Sequence, residues 1–378
     1  MKTLYRRMNK YVPAVSMALF ALTIIAAVLH LCIMSSPAFA DTMNSGISRA
    51  VRSALAYLTG WIPFSVGESA VMFLPVILVI MTAKCLKVAK GSWRRVFRYI
   101  AGMLSAVCFM YIAFVFAFAS GYHTPSLDTK LDYERQNLSS EQLFVTAAEI
   151  LYDIDEVIDD VDFIYSGPSV MPYTYDEMND LLIEAYDRAC EKYTFIGRLD
   201  SRVKRIVLSV PMTYTHISGV YSFFTGEANI NTNYPDFVIP YTAAHELAHQ
   251  RGFARENEAN FIAFLVCIES DDPYIRYSAY VNMYQYVMSA LSSASPEYHY
   301  NVLQSADPRV RYEMYSYSDF FDKYRESKAA EISGTINNTY LVLQGTEGTK
   351  SYGMVVDLAA AYYMARESDI TSEADGER

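Results

Sequence analysis

His245 and His249 stand four residues apart in the run "YTAAHELAHQRGFARENEANF", residues 241–261, with Glu246 directly after the first histidine. On a helix, residues four apart lie on one face, one turn from each other. Two imidazole nitrogens placed this way suit two corners of a tetrahedral zinc. A glutamate beside the first ligand can take a proton from a metal-bound water, and zinc brings the pKa of that water to about 7. The chemistry on offer is hydrolysis by an activated water. The competing reading is a surface helix with solvated His and Glu. Ala243, Ala244, Leu247 and Ala248 argue against it, because they give the helix the apolar flanks of one threaded through a core; Arg251 alone breaks the pattern.

A catalytic zinc takes a third protein ligand and keeps one position open. Gly252 is placed to end the first helix, as glycine commonly does just past a C-terminus. A second helix then opens in "RENEANFIAFLVCI", where Glu256 and Glu258 are both candidates. The remaining histidines are weaker: His30 lies in an apolar run, His123 just after one, and His216 and His299 are isolated in sequence. Cys32, Cys85, Cys108, Cys190 and Cys267 show no CxxC spacing, so neither a thiolate zinc site nor a redox pair is indicated. Transition-state stabilisation usually needs a further donor, and Tyr277, Tyr280, His299 and Arg309 all lie downstream of the motif.

The elements that must hold these residues fall into two parts. Apolar runs crowd the first 120 positions of the 378, and acidic residues follow them. Val12 to Met34 has no charged residue over 23 positions, roughly 35 Å of helix against a hydrocarbon core of about 30 Å. Tyr99 to Ser120 is equally clean, whereas Ser69 to Ala83 is short and flanked by Glu68 and Lys84. Three transmembrane helices are expected, at about 12–34, 66–84 and 99–120, the middle one spanning if "WIPFSVG" dips into the interface. Lys2, Arg6, Arg7 and Lys10 precede the first; Lys84, Lys87, Lys90, Arg94, Arg95 and Arg98 separate the second from the third. Positive residues stay in the cytoplasm, so everything after Ser120 is expected outside. "SSPAFAD" also has the look of a small-x-small cleavage site, after Ala40, which would leave the rest of the chain on the same side.

Residues 121–366 read as a mostly helical α+β domain with a small sheet, and 367–378 as a disordered acidic tail. Ser139 with Gln142 and Thr174 with Glu177 form capping-box patterns. "RVKRIVLSVP" and "GVYSFFTGEANINTNYP" read as strands. The 32 tyrosines read as boundary residues between core and water rather than a ligand box. A net charge of −11 argues against nucleic acid, which needs a basic face.

These residues also resemble known groups. In zinc peptidases whose third ligand is a glutamate, the gluzincins, that residue leads an E-x-x-x-D/N pattern on the next helix. Glu256 and Asn260 match it, while Glu258 is followed one turn later by Ile262. The resemblance therefore implies Glu256 as third ligand, with Asn260 behind a ligand histidine. It also implies a strand along the cleft just before the active helix, and Gly226 to Thr232 is either that edge strand or an ordinary hairpin arm. The metzincin pattern would need a histidine at 255, where this chain has Arg255. As a whole the layout resembles the uncharacterised bacterial family DUF 3810. "WIPFSVGE", "FTGEANINTN", "HELAHQRGFA" with its E-x-EAN sequel, and "SYGMVVDLAAAYY" carry that likeness.

The expectation is a zincin-like fold behind three membrane helices. It would be a multi-pass zinc metallopeptidase of the bacterial plasma membrane, with its C-terminal domain extracytoplasmic. Its partners are the lipid bilayer and a peptide or protein substrate, its cofactor Zn2+, with metal ligands His245, His249 and Glu256 and catalytic Glu246. Two rival readings are a non-catalytic zinc-binding sensor or ligand-binding protein, and a structural membrane protein whose motif is fortuitous.

Overall fold

The computed structural model describes residues 9–133, 137–165, 167–348 and 354–376, the last stretch with side chains to 366. Lys2, Arg6 and Arg7, and the "SYG" of residues 351–353, lie outside the described residues. The chain divides into two compact units: Met1–Thr124 with Ser222–Glu227, and Pro125–Tyr221 with Ala228–Arg378.

In the first unit α1 (Ala14–Ser35) is followed by α2 (Pro37–Met43), a π-helical turn, α3 (Arg49–Gly60), α4 (Val66–Ala89) and α5 (Trp93–Ala117). Helices α1, α4 and α5 are long and apolar enough to cross a membrane. The middle helix is longer than its uncharged core because its flanking charges belong to its ends. Ser65 caps it through the Glu68 N–H at 2.9 Å, Glu68 sits in the first turn and Lys87 in the last, each matching the helix dipole. Helices α2 and α3 lie between the first two of these helices in the chain. Ala40 lies within α2 and is fully buried. Arg52 of α3 is also buried, its guanidinium donating to Asn44 Oδ1 and the Ala117 carbonyl at 2.9 Å and to the Asn44 carbonyl at 3.0 Å.

The turn Ser222–Glu227 belongs to this first unit. Gly226 has φ +73°, and a Cβ there would lie 2.5 Å from Leu55 Cβ and 2.8 Å from the Ala56 nitrogen, so both conformation and space demand glycine. Glu227, buried, accepts the Val66 and Gly67 N–H groups at 2.9 and 2.8 Å. A carboxylate thus closes the positive N-terminus of α4. Thr59 Oγ1 donates to the Thr225 carbonyl at 3.2 Å, and Phe114 meets Phe223 edge-on with centroids 5.6 Å apart.

The second unit opens with α6 (Leu127–Leu131), α7 (Ser140–Asp155) and α8 (Tyr175–Lys192). Both expected capping boxes are formed, Ser139 with Gln142 before α7 and Thr174 with Glu177 before α8. Then come β1 (Lys204–Arg205), α9 (Ser209–Thr213), β2 (Gly219–Ser222) and β3 (Glu227–Ile230). The sheet order is β1-β3-β2, with β1 parallel to β3. "RVKRIVLSVP" is a strand for only two residues. Val207, Leu208 and Val210 are exposed, and β-branched residues favour strands only where a pleated face is covered.

Helices α10 (Val238–Arg251), α11 (Glu256–Ile268), α12 (Pro273–Ala294), α13 (Pro296–Ser305), α14 (Pro308–Asp322), α15 (Lys328–Leu343) and α16 (Val355–Gly376) complete the unit. Helix α16 enters the acidic stretch 367–378 that was read as tail. Helices α10 and α11 occupy the core, packed against each other and against α8 and α12, with α16 on α11. Several tyrosines lie deeper than the boundary between core and water expected of them: Tyr186, Tyr241 and Tyr363 are buried, and their hydroxyls donate to the Ala244 carbonyl, the Asn260 carbonyl and Asp153 at 2.7, 2.9 and 2.7 Å. The whole is mostly helical with a small mixed sheet.

Removing the Glu227 carboxylate leaves one part-buried and one buried N–H group without their acceptor. Glu227→Ala is therefore expected to cost roughly 2–3 kcal/mol, with Glu227→Gln milder because it keeps one acceptor oxygen. Thermal unfolding of the full-length protein in detergent measures this, and unchanged midpoints in both variants would contradict it.

Candidate metal centre

Helix α10 brings His245 and His249 to one face with ring centroids 4.5 Å apart and planes at 87°. Gly252, at φ 103°, ends the helix as expected, and the turn it makes aims the Phe253 carbonyl back at His249. That carbonyl lies 2.7 Å from His249 Nδ1. Nδ1 must donate to it, which leaves Nε2 with its lone pair for a metal.

Helix α11 begins with Glu256, whose Oε2 lies 3.3 Å from His245 Nε2 and 3.5 Å from His249 Nε2. The three ligand atoms all fall within 4.8 Å of one another. Ligand atoms about 2.0–2.1 Å from a tetrahedral zinc stand about 3.3–3.4 Å from each other. The two measured edges fit that figure, so two imidazoles and a carboxylate are spaced to hold a zinc-sized cation. Burial would raise the Glu256 carboxyl, but the His249 and His245 rings more than reverse this and hold it well below the usual range. Burial would lower His249, yet Glu256 lifts it to about 9. Burial and the neighbouring His249 together lower His245.

Glu258 has a different task. Its Oε1 accepts the Leu127 N–H at 2.8 Å and Arg255 Nη2 at 2.9 Å. Arg255, at the position where a metzincin would carry its third histidine, also donates to the Pro125 carbonyl at 3.1 Å. Arg251 is equally structural: it donates to the Leu247 and Leu199 carbonyls at 3.1 and 2.6 Å and lies 3.6 Å over the Tyr186 ring. Its aliphatic stem and stacked guanidinium explain how a cation sits on a helix that is otherwise core.

Glu246 is buried and its Oε2 has no hydrogen-bond partner among the described residues; His245 Nδ1 likewise has none. Burial lifts the Glu246 carboxyl to about 8, against the opposing pull of His249. Strand β2 passes directly over it: a Cβ on Gly219 would lie 2.5 Å from Glu246 Oε1. Strand β3 is central in the sheet, so "GEANIN" is the inner hairpin arm and not the edge. Asn229 and Asn231 of this motif brace the neighbouring segments, donating to the Val220 carbonyl and the Ile217 carbonyl at 3.1 Å. The outer strand beside Glu246 is β2.

Asn260, one turn after Glu256, places its amide beside both His245 and the Tyr286 hydroxyl. Tyr286 follows Ser278 and Asn282 at helical spacing, and both of these tie α12 to Phe237 just ahead of α10, at 2.5 and 3.2 Å. Tyr286 was not among the donors expected. Among so many tyrosines only its register with Ser278 and Asn282 could have singled it out. Of the expected donors, Tyr277 gives its hydroxyl to Glu313 at 3.0 Å, and Arg309 is held by Asp307 and Asp159 at 2.9 and 2.8 Å. Tyr280 packs on Phe264, and His299 lines a separate cavity.

Fold and site together define a protein with membrane-length helices and a candidate His2Glu metal centre in a mostly helical unit. The chain belongs to the family described as "protein of unknown function (DUF3810)", whose model matches residues 44–360, from the turn after α2 to within α16. No curated protein and no solved structure matches it.

Metal analysis of the full-length protein separates the two glutamates. Glu256→Ala and His249→Ala are expected to lose at least tenfold in zinc affinity. Glu258→Ala is expected to keep the metal and lose roughly 3 kcal/mol of stability, because Arg255 is left facing a buried gap. Retention of wild-type affinity by Glu256→Ala would remove it from the ligand set.

Proposed function

We propose that this is a membrane-anchored zinc metallopeptidase whose C-terminal unit works outside the cytoplasm on a peptide or protein. The observation that carries the reading is the convergence of His245 Nε2, His249 Nε2 and Glu256 Oε2 beside the unpartnered Oε2 of Glu246. Zinc, when bound, supplies a water acidic enough to be a nucleophile at neutral pH and a positive charge for the developing oxyanion.

The chain's own residues do the rest. Glu246 accepts the proton of the attacking water and passes it to the leaving amine, acting as general base and then as general acid. His249 is held by the Phe253 carbonyl, and the Asn260 amide lies beside His245. Gly219 lets the main chain of β2 lie against Glu246. An extended substrate laid along that outer strand would bring a peptide carbonyl next to the base. Lys10 lies before α1, and Lys90, Arg94, Arg95 and Arg98 lie around the α4–α5 connection. This favours a multi-pass arrangement in the plasma membrane with the chain beyond α5 outside. A catalytic role explains the buried Glu246 better than a sensor does, since a site that only captures a metal has no use for a base beside it.

Glu246→Gln is expected to retain about one zinc per chain and to lose hydrolysis of a mixed peptide library by at least a thousandfold. Wild-type rates in this variant would remove Glu246 as the base. Gly219→Ala is expected to keep zinc but lower kcat at least tenfold, because the new methyl must displace Glu246 or the strand. An unaltered kcat would show that the contact has no bearing on turnover.

A further inference from the structure

A shorter helical run lies between the first two membrane-length helices. It passes through the π-helical turn Asn44–Ser48 and α3 and ends at Trp61, whose backbone is still helical. Ile47, Val51, Ala54, Leu58 and Trp61 follow one another along it at steps of four and three, so they form one stripe. None is charged, and Ile47, Leu58 and Trp61 are 52, 66 and 79 % exposed. The buried residues Ser48, Arg52 and Ala56 lie on another face. On that side Leu55 and Ala56 pack around Gly226, and Thr59 donates to the Thr225 carbonyl. Arg49 and Ser53 stand on the remaining edge. The run thus has one face packed on protein, one polar edge, and one apolar face left uncovered. Its two ends fix its level. Arg52 donates to the Ala117 carbonyl in the last turn of α5, and Ser120 Oγ donates to Ser48 Oγ at 3.1 Å. Beyond Trp61, Ser65 already caps α4. The run therefore sits where one membrane-length helix ends and another begins, at the rim of the hydrocarbon layer.

We infer that the run from Ile47 to Trp61 lies in the plane of the membrane surface and that its apolar stripe binds the phospholipid bilayer. A helix of this kind sinks its apolar face about 5–10 Å into the boundary between headgroups and acyl chains. Uncovered apolar stripes of this size mark interaction surfaces, and the level of this one, at the ends of α4 and α5, makes lipid its partner. Tyr57, Trp61 and Phe64 are exposed there, and aromatic residues collect at membrane–water interfaces. With lipid on one face and the turn Ser222–Glu227 on another, the helix holds that turn at the membrane surface. The inference rests on the membrane anchoring proposed above and not on the metal centre.

Trp61 and Trp93 are the two tryptophans of the chain, so Trp93→Phe leaves Trp61 as the sole reporter. The test is its fluorescence in the full-length protein, reconstituted into phosphatidylcholine vesicles whose acyl chains carry bromine either near the headgroup or near their tips. Bromine near the headgroup is expected to quench Trp61 at least twofold, and bromine at the tips less. Aqueous acrylamide is expected to quench it at least threefold less than it quenches N-acetyl-tryptophanamide. Quenching by acrylamide but not by bromine would put the stripe in water. Shielding from both would put it under protein, a second copy of the chain or another partner. Stronger quenching from the tips would put the helix in the bilayer interior. Each of these three results would overturn the inference. Flotation of the vesicles keeps it apart from the anchoring itself: a chain that does not float refutes both, whereas a chain that floats with Trp61 in water refutes only the in-plane helix.

Discussion

Helix α10 runs through the core with every residue except His245 buried, and it carries a histidine, a glutamate and an arginine into that interior. Burying such groups is tolerated only where each finds a partner, and most of the surrounding structure supplies one. The Leu199 carbonyl and the Tyr186 ring receive Arg251, the Phe253 carbonyl receives His249, and Ser201 meets Gln250. The helix carbonyl at Ala244 is itself taken by Tyr186. On this helix Glu246 Oε2 and His245 Nδ1 are left without a hydrogen-bond partner among the described residues.

The same constraint separates the two glutamates of α11. Both are acidic, both sit in the first turn and both suit the helix dipole. Glu256 faces the histidines, while Glu258, two positions later and therefore about 200° around the helix, faces Arg255 and the start of α6. Sequence periodicity assigns them to different faces but does not say which face meets α10. The E-x-x-x-N likeness pointed to the same residue that the geometry brings to the histidines.

Legibility followed locality. The helix spacing of the motif, the glycine that ends α10, both capping boxes and the three apolar helices depend on residues close in sequence, and each was readable. What depended on distant partners was not. The short strand β1 looked longer because its β-branched continuation lacks a second sheet face to cover it. Strand β3 could be edge or interior until β1 was seen to pair with it. Tyr286 and Arg52 gain meaning only from residues tens of positions away, Asn260 for the one and Ala117 for the other.

The carboxylate that closes α4 comes from Glu227, 160 residues beyond Gly67 in the chain. The first unit is therefore incomplete when its own helices have been made. At roughly 5–20 residues per second, ribosomes would deliver Glu227 about ten to thirty seconds after the N-terminus of the second apolar helix. During that interval the start of α4 has bare N–H groups and the space opposite Leu55 and Ala56 is unfilled. Assembly of the first unit is thus tied to synthesis of the chain as far as Glu227.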